Sequence, residues 1–334
     1  MQWVEKTQLG EPLRSSIIIC TRSRPRALYK LIESLQNQDA ISTISKILVI
    51  DSSIDNETES LFSKKVFESQ LPISYHRVSH DYTLPRKRNL GLSLLNFSEK
   101  EILHFFDDDV ELSVDYVSSI RAVFEDSNII GVGGADQNLK KKHVYKFLEL
   151  VGVASNQEGV ILKSGVNTQN ISGAVQRETE WLSGCAMSYA TSSLKGQLFD
   201  ERRHFDGEDS DFSYRMSKKG KLVWNPSSRF SHKSSMAKKV TKNHKVRYHF
   251  KHLVLSCAEF DGKVQPQYCF IYLFFNGLIS IAMSLKRFRI LETRIGISYL
   301  FFSFIFPLAL AQYFFAKKIQ SLSKKSNSDT IDTK

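Results

Sequence analysis

The sequence predicts an α/β fold with a mostly parallel sheet covered by helices on both faces. Three observations predict it. Short apolar runs alternate with amphipathic stretches of helical spacing; four such strand–helix units follow one another; and several of the runs end in polar residues where such sheets bind ligands.

The first unit is Ile17 to Cys20, followed by Ala27, Leu28, Leu31, Ile32 and Leu35 at helical spacing. The second is Ile47 to Ile50 before a polar helix. The third pairs a strand over Ile73 to Val78 with a helix over Arg86 to Leu95. The fourth pairs Ile102 to Phe106 with Val114 to Phe124. Thr21, Asp51 and the triplet Asp107, Asp108 and Asp109 then fall beyond the carboxyl ends of their strands and converge on one sheet edge. An acidic triplet at the end of a buried strand is a candidate metal site, because carboxylates so close repel one another until a hard divalent cation neutralises them. An acidic surface turn is the plain alternative, which the buried strand argues against.

A further apolar run, Ile129 to Gly134, precedes a polar stretch from Ala135 to Glu180 that reads as loops or an acceptor-side insertion. Order returns at Trp181 to Gly184. A helix is expected from Glu208 to about Lys218, stopped by Gly220. On its wheel Phe212 and Met216 mark the buried face, Asp209 points inward, and Asp211 points outward toward Arg215.

The chain has 334 residues, enough for one large or two smaller domains, and a net charge of +11. That charge suits a polyanionic ligand or an anionic membrane; no arginine-rich stretch with interleaved aromatics argues for nucleic acid, and none is expected as a partner. Cys20, Cys185, Cys257 and Cys269 show no CxxC spacing and are expected to be reduced thiols in a cytosolic setting. Met1 to Arg14 hold no apolar core of signal-peptide length. Val264 to Leu285 and Ile295 to Ala316 are uncharged and long enough to cross a bilayer. The basic connector Lys286, Arg287, Arg289 and Arg294 favours a re-entrant or interfacial hairpin over two spans, and a buried helical pair is the alternative. The expected divisions are an extension over 1–14, a nucleotide-binding half over 15–135, an acceptor-binding half over 136–240, a hydrophobic helical region over 241–320 and a polar, disordered tail over 321–334.

In this order the motifs resemble a family 2 glycosyltransferase of the GT-A fold, a Rossmann-like, mostly parallel central sheet flanked by helices, here with a C-terminal hydrophobic helical segment. The resemblance runs from about Ser15 to His232 and starts with Ile19-Cys20-Thr21-Arg22-Ser23-Arg24-Pro25, the opening strand and loop. Val49-Ile50-Asp51-Ser52-Ser53-Ile54-Asp55-Asn56-Glu57-Thr58 resembles the stretch written VVDNGSTDGT, and Pro85-Arg86-Lys87-Arg88-Asn89-Leu90-Gly91 resembles the ARN-x-G segment. The resemblance implies that Thr21, Asp51, Arg88 and Asn89 contact the nucleotide donor. Asp107-Asp108-Asp109 stands at the DxD motif: Asp109 and Asp107 would hold Mg2+ or Mn2+, with Asp107 and Asp108 near the nucleotide. Gly184, Phe199-Asp200-Glu201 and Gly207-Glu208-Asp209-Ser210-Asp211-Phe212 resemble the acceptor-side ED motif, which makes Asp209 the base and sets Glu208 and Gly184 on the acceptor side; Trp181 is either an acceptor-side wall that stacks on a sugar face or a buried core residue. His232 stands where some relatives complete the metal site. Serines replace the usual Asn-Gly after Asp51, and Arg22, Arg24 and Arg86 are not general family features.

The resemblance implies an inverting, metal-dependent transfer of a hexosyl or deoxyhexosyl group from a nucleotide-diphosphate sugar to a glycan or lipid-linked acceptor. It implies surface polysaccharide or glycolipid synthesis at the cytoplasmic face of a membrane. A sugar-phosphate nucleotidyltransferase is the competing enzyme class, but the first strand lacks a glycine- and lysine-rich phosphate loop and Asp209 would have no task. A catalytically silent sugar-nucleotide-binding membrane protein is the third class. Cys185 next to Gly184 suggests a nucleophile, but the sequence places no histidine near it.

Overall fold

The computed structural model describes residues 13–60, 70–96, 98, 100–140, 146–150, 154–171, 173–204, 206–233, 242–287 and 290–329. The elements of the first part are β1 (Arg14–Thr21), α1 (Pro25–Gln36), β2 (Ile44–Asp51), β3 (Ile73–Arg77), α2 (Leu84–Leu94), β4 (Glu101–Asp107), β5 (Val110–Leu112), α3 (Tyr116–Val123) and β6 (Ile129–Asp136). After α4 (Lys146–Leu150) come β7 (Arg177–Glu178), β8 (Ala186–Ala190), α5 (Glu208–Ser217) and β9 (Lys221–His232). The chain ends in α6 (Lys242–Glu259), α7 (Pro266–Arg287) and α8 (Ile290–Asp329).

The strands form one sheet in the order β3-β2-β1-β4-β8-β6-β9-β5, with β7 paired to β9. β3, β2, β1 and β4 are mutually parallel, as the apolar runs of β1, β2 and β4 predict. The second half is mixed: β8 inserts antiparallel between β4 and β6, and β6 runs parallel to β9. The segment from Ala135 to Glu180, expected to be loops, holds α4 and β7.

Alternate residues of the central strands fill two cores. Ile17, Ile19, Ile47, Val49 and Phe106 pack with Leu28, Leu31 and Leu35 of α1 and Tyr116 and Ile120 of α3. Ile18, Leu48, Leu103 and Phe105 pack on the other face with Phe199, Phe212 and Met216. There Phe199 and Phe212 stack with ring centroids 4.1 Å apart, and Phe105 meets Phe199 edge-on at 5.3 Å. This cluster fixes α5, and with it Asp209, against β4. At Gly91 of α2, a Cβ would lie 2.8 Å from Ile18 Cδ1, so glycine lets this helix lie directly on β1.

Contacts divide the chain into two units. One holds residues 1–141, 170–204 and 208–239, and the other holds 142–169, 205–207 and 240–334. Residues 142–169, placed with the acceptor half on sequence, thus cluster with the C-terminal helices. In the second unit α7 and α8 pack along each other; a Cβ on Gly296 would lie 2.8 Å from the Gly277 carbonyl oxygen. Of the two apolar segments, Arg294–Gln320 is long and apolar enough to cross a membrane, whereas the apolar part of α7, Pro266–Ala282, is shorter. The helix α8 continues to Asp329, through most of the segment expected as a disordered tail. Residues 1–12 of the expected extension and Arg289 lie outside the described residues.

His104, in β4, is fully buried between the hydroxyls of Ser188 and Ser15 at 2.8 and 3.0 Å from its ring nitrogens. Burial, reinforced by the charge of Arg121, pushes its pKa down to about 3. The folded pKa lies below the unfolded value of 6.5, so the contribution is fully present above pH 6.5 and is lost as pH falls toward 3. We expect His104 to cost about 2 kcal/mol of stability between pH 7 and pH 5. Urea unfolding of a His104→Gln variant should show a shallower acid slope than the parent; identical slopes would refute the assignment.

Candidate active site

The strand register assembles the site. Thr21 pairs with Asp51 across β1 and β2, and Cys20 with Asp107 across β1 and β4, so all three polar residues close adjacent strands at one edge. Asp108 and Asp109 form the turn into β5, and both are buried. The antiparallel pairing of β5 with β9 sets His232 opposite Val110, which brings His232 Nε2 to 3.2 Å from Asp109 Oδ1. On the other side Phe106 pairs with Ala186 of β8, and the Asp107 N–H donates to the Cys185 carbonyl at 3.0 Å, which draws the acceptor-side loop onto the triplet.

Each aspartate of the triplet has its own partners. Asp107 Oδ1 accepts from Arg88 Nη2 at 3.2 Å. Asp108 accepts from Thr21 Oγ1 at 2.6 Å and Arg24 Nη1 at 2.9 Å. The same Arg24 nitrogen donates to Asp109 Oδ2 at 2.9 Å. Burial pushes the Asp108 carboxyl up to about 6, against the opposing pull of Arg24 and Thr21. Asp109 and, second, Cys185 hydrogen-bond the His232 ring and push its pKa up to about 11.

Arg88 is 2 % exposed and sits between the two halves of the site. Its Nη1 donates to Glu208 Oε1 at 3.2 Å, and Nη2 donates to the Gly184 carbonyl at 2.9 Å as well as to Asp107. The Gly184 N–H in turn donates to Asp209 Oδ2 at 2.9 Å. A Cβ at Gly184 would stand 3.0 Å from Arg88 Nη2 and 3.2 Å from Asp209 Cβ, so only glycine gives both groups this approach without a shift. Asp209 Oδ1 accepts from the Ser210 N–H at 2.8 Å, and Asp209 is half-buried. Burial and the neighbouring Asp209 charge push Glu208 up to about 8, opposed by Arg88.

Asp51 is held on both oxygens, by the Ser53 N–H at 2.8 Å and the Tyr75 hydroxyl at 2.6 Å. Ser53 thus does part of what the expected Asn-Gly would do. Asn89 uses its whole amide to fasten a loop: it accepts from the Phe199 N–H at 2.7 Å and donates to the Phe199 carbonyl at 2.9 Å and to Glu201 at 3.1 Å. Trp181 is buried.

Two expectations are corrected. Asp211 does not point outward: it is 4 % exposed, pairs with Arg215 at 2.8 Å as expected, and lies 3.5 Å from the buried Arg203, because α5 is enclosed on both sides. Cys185 does have a histidine beside it, since β9 brings His232 Nδ1 to 3.5 Å from its sulfur. Burial nevertheless raises the thiol pKa, which opposes nucleophilic use. The sequence reading missed the site roles of Arg24, Lys87 and Tyr75. Lys87, on the same buried helix face as Arg88, donates to the Thr21 carbonyl at 2.8 Å, and burial holds its pKa below the usual lysine range. The three consecutive basic residues Arg86 to Arg88 were the available signal.

The carboxylate oxygens of Asp107 and Asp109 suit Mn2+ or Mg2+, and the His232 imidazole stands beside Asp109 as a further nitrogen donor.

Residues 16–173 match the model of glycosyl transferase family 2. Chondroitin synthase of Escherichia coli is 28 % identical over 228 residues, which covers 61 % of this chain and 32 % of that protein, so the chain spans about a third of this relative. Among solved structures, GalNAc-T7 with UDP, GalNAc and Mn2+ aligns with a TM-score of 0.57 at 14 % identity, over 89 % of this chain and 58 % of the other. TarS 1-349 of S. aureus with UDP-GlcNAc gives 0.55 at 15 % identity, over 88 % and 81 %. The mannosyltransferase PcManGT of Pyrobaculum calidifontis with GDP-Man and Mn2+ gives 0.54 at 14 % identity, over 87 % and 86 %. Residues 16–173, just under half of the chain, thus resemble glycosyl transferase family 2, and the fold is GT-A.

Proposed function

We propose that this chain transfers a glycosyl group from a nucleotide-diphosphate sugar to an acceptor hydroxyl with inversion, using Asp209 as base. One observation carries the reading: a single buried guanidinium, Arg88, joins Asp107 of the acidic triplet to Glu208 and, through Gly184, to Asp209. Donor-side and acceptor-side carboxylates are thereby held in one network. The ligands carried by PcManGT and TarS support a nucleotide-sugar donor.

In this reading Asp51 and Thr21 bind the nucleoside, and Asp109, His232 and Asp107 hold the metal. Bound there, Mn2+ or Mg2+ would act as a Lewis acid on the diphosphate oxygens. Asp209 removes the acceptor hydroxyl proton as that oxygen bonds to the sugar C1 and the bond from C1 to the diphosphate oxygen breaks. Two backbone N–H groups keep the Asp209 carboxylate aimed. Arg88 and Asn89 serve the donor indirectly, Arg88 by fixing the carboxylates and Asn89 by fastening the loop at Phe199. The glycan or lipid-linked acceptor follows from membrane attachment. Ile297, Phe301, Phe304, Leu308 and Phe315 form an exposed stripe on α8, and only 22 % of the apolar window there is buried. Arg294 and Lys317 flank it, and the four free thiols support the cytoplasmic face.

Asp209→Asn should retain donor binding, read as thermal stabilisation by UDP-, GDP- or dTDP-sugars with Mn2+, while turnover falls by about 100- to 10,000-fold. Transfer at the parent rate would rule out Asp209 as base. Arg88→Met leaves Asp107 and Glu208 without their cation, so we expect roughly 3–5 kcal/mol of lost stability by chemical denaturation; a parent-like midpoint would deny Arg88 its central place. Phe304→Asp combined with Leu308→Asp should shift the protein from the membrane to the soluble fraction, since each charge costs roughly 2.5–3.5 kcal/mol within a bilayer. Unchanged partitioning would count against attachment through α8.

A further inference from the structure

Arg24 reaches the acidic turn by a specific route. Ser23 before it adopts a left-handed backbone (φ 52°), which an L residue with a side chain seldom takes. Its N–H donates to Ser53 Oγ at 2.7 Å, which secures the turn, and Pro25 then starts α1. Arg24 Nη1 consequently bridges Asp108 Oδ1 and Asp109 Oδ2 at 2.9 Å each. The side chain of Arg24 is 31 % exposed, against 4 % and 6 % for the two aspartates, so the cation has a way out and the carboxylates do not.

A guanidinium and a divalent ion make the same demand on these oxygens and repel each other. We propose that Arg24 is a resident counter-cation that competes with the divalent metal: it neutralises Asp108 and Asp109 while the metal is absent and leaves Asp109 as the metal enters. The inference rests on the reading of Asp109 as a metal ligand. Its consequence is that the metal binds this chain more weakly than the carboxylates alone would allow.

Mn2+ affinity, followed by the loss of the free-ion EPR signal on the purified full chain without donor, tests this. Arg24→Gln removes the charge and should bind Mn2+ at least about tenfold more tightly than the parent. Arg24→Lys, a point charge unable to bridge both carboxylates with one planar group, should fall between them. An unchanged or weaker affinity in a folded Arg24→Gln protein overturns the proposal. If circular dichroism shows that variant unfolded, the comparison of Arg24→Lys with the parent decides, and equal affinities overturn it. Asp109→Asn separates the premise from the inference. If it binds Mn2+ as the parent does, the metal assignment itself fails; if it binds more weakly while Arg24→Gln is unchanged, only the role of Arg24 fails.

Discussion

The site depends on one electrostatic constraint: five carboxylates, those of Asp107, Asp108, Asp109, Glu208 and Asp209, converge at the end of a buried sheet. Unpaired charge there would cost several kcal/mol per group. The chain answers with cations. Arg88 is almost wholly enclosed and stands between Asp107 and Glu208, and Arg24 spans Asp108 and Asp109 from the rim. Lys87 lies beneath them on the Thr21 carbonyl. A planar guanidinium suits the central position because its fixed fork can serve a carboxylate on each side and a backbone carbonyl together, which a lysine could not do.

This constraint explains the unusual character of α2. A helix packed on a sheet normally buries apolar residues, yet the buried face of α2 includes Pro85, Lys87, Arg88 and Gly91. Gly91 brings the helix axis close to Ile18, and that closeness carries the two cations under the strand ends. Packing and electrostatics are therefore coupled: a larger residue at Gly91 would lift α2 from β1 and withdraw Arg88 from its carboxylates. Gly184 has the same function on the opposite side of the guanidinium.

The parallel half of the sheet was legible because three of its four strands, at Ile17 to Cys20, Ile47 to Ile50 and Ile102 to Phe106, are mostly apolar runs read locally. The position of β8 was not, since antiparallel insertion between β4 and β6 is a non-local pairing with no signature in Ala186 to Ala190 themselves. The outward placement of Asp211 failed for a related reason. A helical wheel finds the more apolar face, but α5 is covered by the aromatic cluster on one side and reached by the buried Arg203 on the other. The adjacency of Cys185 and His232, 47 residues apart, likewise exists only through the strand order.

Within the triplet, Asp108, expected near the nucleotide on sequence, has the tightest set of partners. Its carboxylate takes the Thr21 hydroxyl and the Arg24 guanidinium, and so ties the acidic turn to the loop that follows β1. Thr21 is itself anchored by Lys87 through its carbonyl, and the Ser23 turn that aims Arg24 is fastened to Ser53, which also binds Asp51. The loop after β1 is thus joined by polar contacts to the ends of β2 and β4. The middle aspartate thus ties the loop to the acidic turn, while its neighbours Asp107 and Asp109 face Arg88 of α2 and the histidine of β9. Three adjacent residues of one chemical type have different partners because the backbone turns between β4 and β5 and presents Asp107 to α2, Asp108 to the end of β1 and Asp109 to β9.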